Sequence, residues 1–93
     1  MIRSFRDRRT IALFEGRFVK SVDRKIVERA RRKLRMIHVA HSLAELGAVP
    51  GNHLEALHRE RKGQHSIRIN DQWRLCFAWR DSDAYDVEFT DDH

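Results

Sequence analysis

Apolar residues change their spacing along this chain. From Ser21 or Asp23, either of which can cap a helix, to about His41, the pattern is helical. Ile26, Ala30, Leu34 and Ile37 recur at four, four and three residues and form one stripe, which Val27 and Met36 widen. Arg24, Lys25, Arg29, Arg31, Arg32, Lys33 and Arg35 take the remaining faces. Asp7 to Arg17 suits a shorter helix ending at Gly16, and Ser42 can cap one more helical turn, Leu43 to Leu46. In the last third the period falls to two. Ile67 and Ile69 alternate with Ser66 and Arg68. Trp73, Leu75, Phe77 and Trp79 alternate with Arg74, Cys76 and Ala78. Tyr85, Val87 and Phe89 are expected to continue the same apolar face.

Asn70-Asp71-Gln72 and Arg80-Asp81-Ser82-Asp83 are turns between these strands. His53 to Leu57 alternates as a further strand, and the charged stretch His58 to Gly63 closes a hairpin onto His65 to Asn70. The 47–52 stretch, with the only proline and two of the four glycines, is a loop. Ile2 to Phe5 alternates as a first strand. Strands with one apolar face need a cover, and the amphipathic helices of the first half supply it. The expected class is therefore α+β. Two or three N-terminal helices pack on one face of a small twisted antiparallel sheet of four to five strands. The opposite face stays open and carries Arg68 and Arg74 among the small residues Ser66, Cys76 and Ala78.

At 93 residues the chain has room for one domain, residues 1–93. Its formal net charge of +5 and pI near 10.1 favour a polyanionic partner: nucleic acid, an anionic membrane surface or an acidic protein. On the long helix, the basic residues read first as a solvated outer face, and alternatively as contacts to phosphate or to an acidic partner. The lone Cys76 fits a reducing cytoplasm and reads as a small buried hydrophobe. There is no signal-peptide h-region, and no apolar run approaches the roughly 18 residues of a membrane span. A cytoplasmic protein without a membrane partner is expected. The six histidines match no zinc spacing, so neither a metal nor a cofactor is expected. His38 and His41 read as surface residues at a helix end.

Arginines on an open sheet face suit RNA cleavage. A base removes the 2′-hydroxyl proton, the freed oxygen attacks the adjacent phosphate, and an acid protonates the leaving oxygen. Guanidinium groups bind phosphate oxygens in a fork and stay charged. His93 can act as acid or base, and Asp91 or Asp92 can orient it. The bland alternatives are a solvated His93 and cross-strand ion pairs from Arg68 and Arg74 to Asp86 or Glu88.

The string Ser66-Ile67-Arg68-Ile69-Asn70-Asp71-Gln72-Trp73-Arg74 resembles the HigB toxins of the RelE/ParE superfamily. So do Pro50 to Leu57, Asp86-Val87-Glu88, the terminal Asp-x-His and the opening Met1 to Asp7. The resemblance implies a RelE-like fold with a mixed sheet and a ribosome-dependent mRNA interferase cutting in the A site of the 30S subunit. It also implies neutralisation by a HigA-type helix-turn-helix antitoxin, with operator DNA bound through the complex. By that resemblance Arg68, Arg74, Asp91 and His93 are the catalytic positions, with Asp92 beside them. Arg61, with His58, Arg59 and Lys62 around it, belongs to a basic loop that binds RNA or the ribosome. The chain departs from the family in two places. Asp92 stands where a tyrosine is usual, and Leu57-His58-Arg59-Glu60-Arg61 replaces Leu-Lys-Gly-Asp-Arg. Competing readings are a same-fold toxin acting on DNA gyrase, a weakened toxin kept as co-repressor, and an RNA-binding domain without catalysis.

Overall fold

The computed structural model describes residues 1–91. Three helices come first: α1 (Arg8–Phe14), α2 (Arg24–Val39) and α3 (Leu43–Gly47). Four strands follow: β1 (Glu55–Ala56), β2 (Gln64–Arg68), β3 (Trp73–Arg80) and β4 (Asp83–Asp91). They pair in sequence order as one antiparallel sheet.

Each helix starts on a side chain that accepts an otherwise unpaired backbone N–H. Asp7 caps Thr10, Asp23 caps Lys25 and Ser42 caps Glu45. The stripe on α2 is the buried one: Ala30, Leu34 and Ile37 are inaccessible, and Ile26, Val27 and Met36 pack beside them. They meet Ile67, Leu75, Phe77, Val87 and Phe89 from the inner face of the sheet. Among the described residues no helix is long and apolar enough to cross a membrane.

The N-terminal segment covers the free edge of β4. Ile2 and Phe5 bridge Ala84 and Val87 in parallel. Arg3 N donates to Ala84 O at 2.8 Å, and Arg6 N to Val87 O at 2.9 Å. Where that segment turns into α1, the Thr10 hydroxyl accepts from Phe89 N at 3.0 Å and the Arg9 guanidinium donates to Phe89 O at 2.9 Å. The edge that would otherwise expose a row of backbone groups is thus closed by the chain's own start. The sheet is mixed at this edge, and the α+β class with three helices matches the expectation.

Four details differ from the sequence reading. Tyr85 does not share a face with Val87 and Phe89. The register slips between Cys76 and Ala78, and Asp86 takes a left-handed φ of 54°. That extra residue is a bulge. It puts Ala84 in the core and Tyr85 opposite Ala78, where the Arg80 guanidinium lies 4.2 Å above its ring. The strand expected from His53 shortens to Glu55–Ala56, because His53 has φ 46° and cannot extend the ladder. The strand expected to reach Asn70 ends at Arg68, since Ile69 and Asn70 both donate to Trp73 O in the turn. Finally, His38 is half-buried and engaged rather than a solvated surface residue. Its Nδ1 accepts from Ile2 N at 3.2 Å and its ring lies 5.3 Å from that of Phe14. Burial first, then the N-terminal charge and Arg35, push its pKa below the usual histidine value.

Candidate functional site

The β2–β3 hairpin sets Arg68 directly opposite Arg74. Like charges facing each other across a ladder repel, so this pairing favours an anion between or above them. Both side chains stand on the open face, because their neighbours Ile67 and Leu75 are fully buried on the other. They line a pocket of about 90 Å³ with His53, Glu55 and Ser66. Glu55 reaches it because β1 pairs Glu55 with Ser66, which in turn faces Cys76. A pocket of this size holds a phosphate group and not a whole nucleotide.

The tight turn fixes Arg68. Asn70 Oδ1 accepts from Gln72 N at 2.9 Å and Trp73 N at 2.7 Å, shaping the reversal. Arg68 then donates Nε to Asn70 O at 3.1 Å and forms an ion pair with Asp71. Arg68 thus pairs within its own turn, not with Asp86 or Glu88. Its side chain stays 42% exposed, so it remains accessible to a ligand. Arg74 also lines a second, wider depression of about 450 Å³ with His58, Arg59, Glu60 and Arg61, and so connects the pocket to the basic loop.

That loop is a single 3-10 turn, Arg59–Arg61, closed by Gly63 at φ 92°. His58, Arg59 and Lys62 are exposed. Arg61 is tied down: its guanidinium donates to Glu88 at 2.8 Å and to Gln64 at 3.0 Å. The Glu88 hydrogen bond raises its pKa further above the ordinary arginine value. Glu88 therefore anchors the loop across the sheet.

Asp91 is not brought into this pocket. It pairs with Trp73, while Thr90 pairs with Arg74. Alternation therefore turns Asp91 to the side of Trp73, and its carboxylate accepts from Gln72 Nε2 at 3.2 Å. Asp92 and His93 lie outside the described residues. The pocket instead gathers His53 and Glu55, neither of which is among the expected site residues. The alternation of His53 and Glu55 was the available signal, but the partner strand that brings Glu55 over Ser66 was needed to use it.

Asn52 supports the site from behind. It is fully buried in what reads as a polar loop, donating Nδ2 to Leu46 O at 2.9 Å and accepting from Lys33. Its carbonyl receives Arg68 N at 2.7 Å. Lys33 thus turns away from the solvated face of α2. Burial, with Arg29 and Arg32 nearby, lowers its pKa. Among the described residues, no group of three or more His, Cys, Asp or Glu is arranged to hold a metal ion.

The model of the HigB-like toxin family, RelE-like toxins of type II toxin–antitoxin systems, matches residues 3–93. Endoribonuclease HigB of Proteus vulgaris is 31% identical over 93 residues, the full length of both chains. Toxin HigB-1 of Vibrio cholerae serotype O1 is 40% identical over 62 residues, covering 67% of this chain and 64% of that protein. Among solved structures, the YoeB-YefM complex from Staphylococcus aureus matches with a TM-score of 0.58 over 95% of both chains. At 17% identity that likeness concerns the fold.

Proposed function

The chain belongs to the HigB-like family of RelE-like toxins of type II toxin–antitoxin systems, and on that premise we propose that it is an endoribonuclease that cuts mRNA on the ribosome. The single observation that carries this reading is the Arg68–Arg74 pair, set side by side over a phosphate-sized pocket that also holds titratable groups. A surface that only bound RNA would need the arginines but not Glu55 and His53 in the same cavity.

In the proposed reaction the two guanidinium groups hold the non-bridging oxygens of the scissile phosphate. They stabilise the negative charge that grows as the 2′-oxygen attacks. A base takes the 2′-hydroxyl proton, the P–O5′ bond breaks, and an acid delivers a proton to O5′. The products are a 2′,3′-cyclic phosphate and a 5′-hydroxyl. The acid–base pair is drawn from His93, Glu55 and His53. The exposed part of the basic loop, His58, Arg59 and Lys62, contacts ribosomal RNA or the message, and Arg61 holds that loop in place through Glu88. The partner that silences the toxin is an antitoxin of helix-turn-helix type, through which the pair reaches operator DNA. The site of action is the cytoplasm, where ribosomes carry the message.

The test is cleavage of a defined mRNA on purified ribosomes, read by primer extension and by the chemistry of the new ends. Wild type should cut and leave a cyclic phosphate. Arg74→Ala and His93→Ala should each slow cleavage by about 100-fold or more. Undiminished cleavage in both variants sinks the site assignment. Growth arrest with intact mRNA sinks the nuclease reading.

A further inference from the structure

The basic face of α2 is not used by the chemistry above. This helix carries seven Lys or Arg and one acidic residue, Glu28. Two of the seven are engaged inward: Arg29 donates to Ile69 O at 3.4 Å, and Lys33 to Asn52. Arg24, Arg31, Arg32 and Arg35 are exposed and form no ion pair among the described residues. Arg31, Arg32 and Arg35 surround one depression with Glu28.

At the N-terminal end of this face the charge gives way to an apolar groove of about 250 Å³. Phe18, Val22 and Val27 line it together with Arg17, Arg24 and Glu28. Phe18 is 84% exposed, the most exposed large hydrophobic residue among those described. It is held there by order on either side. Val19 and Val22 are buried and hydrogen-bonded to each other, Val22 N to Val19 O at 3.2 Å. Arg17 N returns to Ala12 O at 2.9 Å, and the Arg31 side chain packs across Gly16. A connector anchored at both ends thus presents one aromatic ring to solvent beside a groove it does not fill.

We infer that this face, Phe18 with the Val22–Val27 groove and the free arginines of α2, is the docking site for an acidic segment of the antitoxin, which inserts an apolar side chain beside Phe18. The four free arginines call for an anionic partner. The apolar groove and exposed ring select among anions. A nucleic-acid backbone has no apolar group to bury there, whereas an acidic peptide carries both carboxylates and aliphatic or aromatic anchors at helical or extended spacing. The face lies in the helix layer, and the sheet separates it from the Arg68–Arg74 pocket. The inference rests on the chain's membership of a toxin–antitoxin family and not on RNA cleavage.

Phe18→Ser and Arg31→Glu/Arg35→Glu test it, with the antitoxin expressed from the gene neighbouring that of this chain as the probe. Phe18 contributes almost nothing to the core, so its variant should fold as wild type does. Each variant should weaken antitoxin binding by about tenfold or more in calorimetry. Phe18→Ser should still cut mRNA at the wild-type rate and should arrest growth that the antitoxin no longer relieves. Arg68→Ala should leave antitoxin affinity unchanged. Wild-type antitoxin affinity in both face variants overturns the inference, all the more if their ribosome affinity drops, which would make the face an RNA contact. If wild type fails to cut mRNA while both variants lose the antitoxin, the nuclease reading falls and the docking surface stands.

Discussion

Replacing Thr10 by valine removes the hydroxyl that fastens α1 to the sheet. The Thr10 side chain is fully buried, and its hydroxyl both donates to Asp7 Oδ1 at 2.6 Å and accepts from Phe89 N at 3.0 Å. Valine has nearly the same shape, so no cavity forms, and the Asp7 cap keeps its bond from Thr10 N at 2.8 Å. What is lost is the hydroxyl's bond to Asp7 and the partner of a buried backbone N–H, the latter costing about 1–3 kcal/mol. Thr10→Ser keeps the hydroxyl and removes one methyl group, a loss of about 1 kcal/mol. At roughly 4–8 °C per kcal/mol for a chain of this size, a 2 kcal/mol loss lowers Tm by about 8–16 °C. Stability should therefore fall in the order wild type, Thr10→Ser, Thr10→Val, in thermal and urea unfolding. Amide exchange adds a local signature: the Phe89 N–H should exchange faster in Thr10→Val, while Val87 N, bonded to Ser4 O, keeps its protection. Valine as stable as serine would show that the Thr10 hydroxyl does not hold β4, and would refute the reasoning.

Other perturbations test the site and its supports. Inorganic phosphate at ten times its Kd should stabilise wild type by about 1.4 kcal/mol in a thermal-shift assay. A phosphate shift surviving in Arg68→Ala/Arg74→Ala would show that the arginine pair is not the anion site. His38 has a depressed pKa in the folded state, so the unfolded chain binds its proton first. Its contribution is intact above the unfolded histidine pKa near 6.5 and is lost as pH falls below it. A His38→Gln variant should lose less stability than wild type between about pH 7 and pH 5 in urea titrations, and equal losses would count against a neutral His38 accepting from Ile2 N. Asn52→Leu should cost about 2 kcal/mol or more, since Leu46 O and Lys33 both lose a partner in or near the core. It should also slow cleavage, because the loop whose Asn52 backbone carbonyl holds Arg68 N loses its side-chain ties to Leu46 and Lys33. Unaltered cleavage in that variant would separate the loop from the site.

The parts of this molecule written in a single period were legible in its sequence. The α2 stripe and the split of β3 into an apolar and an arginine-bearing face depend only on spacing within one element, and both hold. What spacing could not show was set by partners far along the chain. The bulge at Asp86 exists because β4 must align with β3 on both sides of one extra residue, and it moves Tyr85 to the other face. His38 is held by Ile2, thirty-six residues earlier, and Asn52 by Lys33. The site divides in the same way. Arg68 and Arg74 follow from alternation plus a two-strand hairpin, which is local. Glu55 and His53 enter the pocket only once β1 is laid against β2, and the separate β3–β4 register turns Asp91 toward Trp73. A residue's place in the motif thus states its neighbours along the chain, whereas catalysis depends on neighbours across the sheet. That is why the arginines, fixed by one hairpin, were identifiable together, while their carboxylate companion had to be found in the fold.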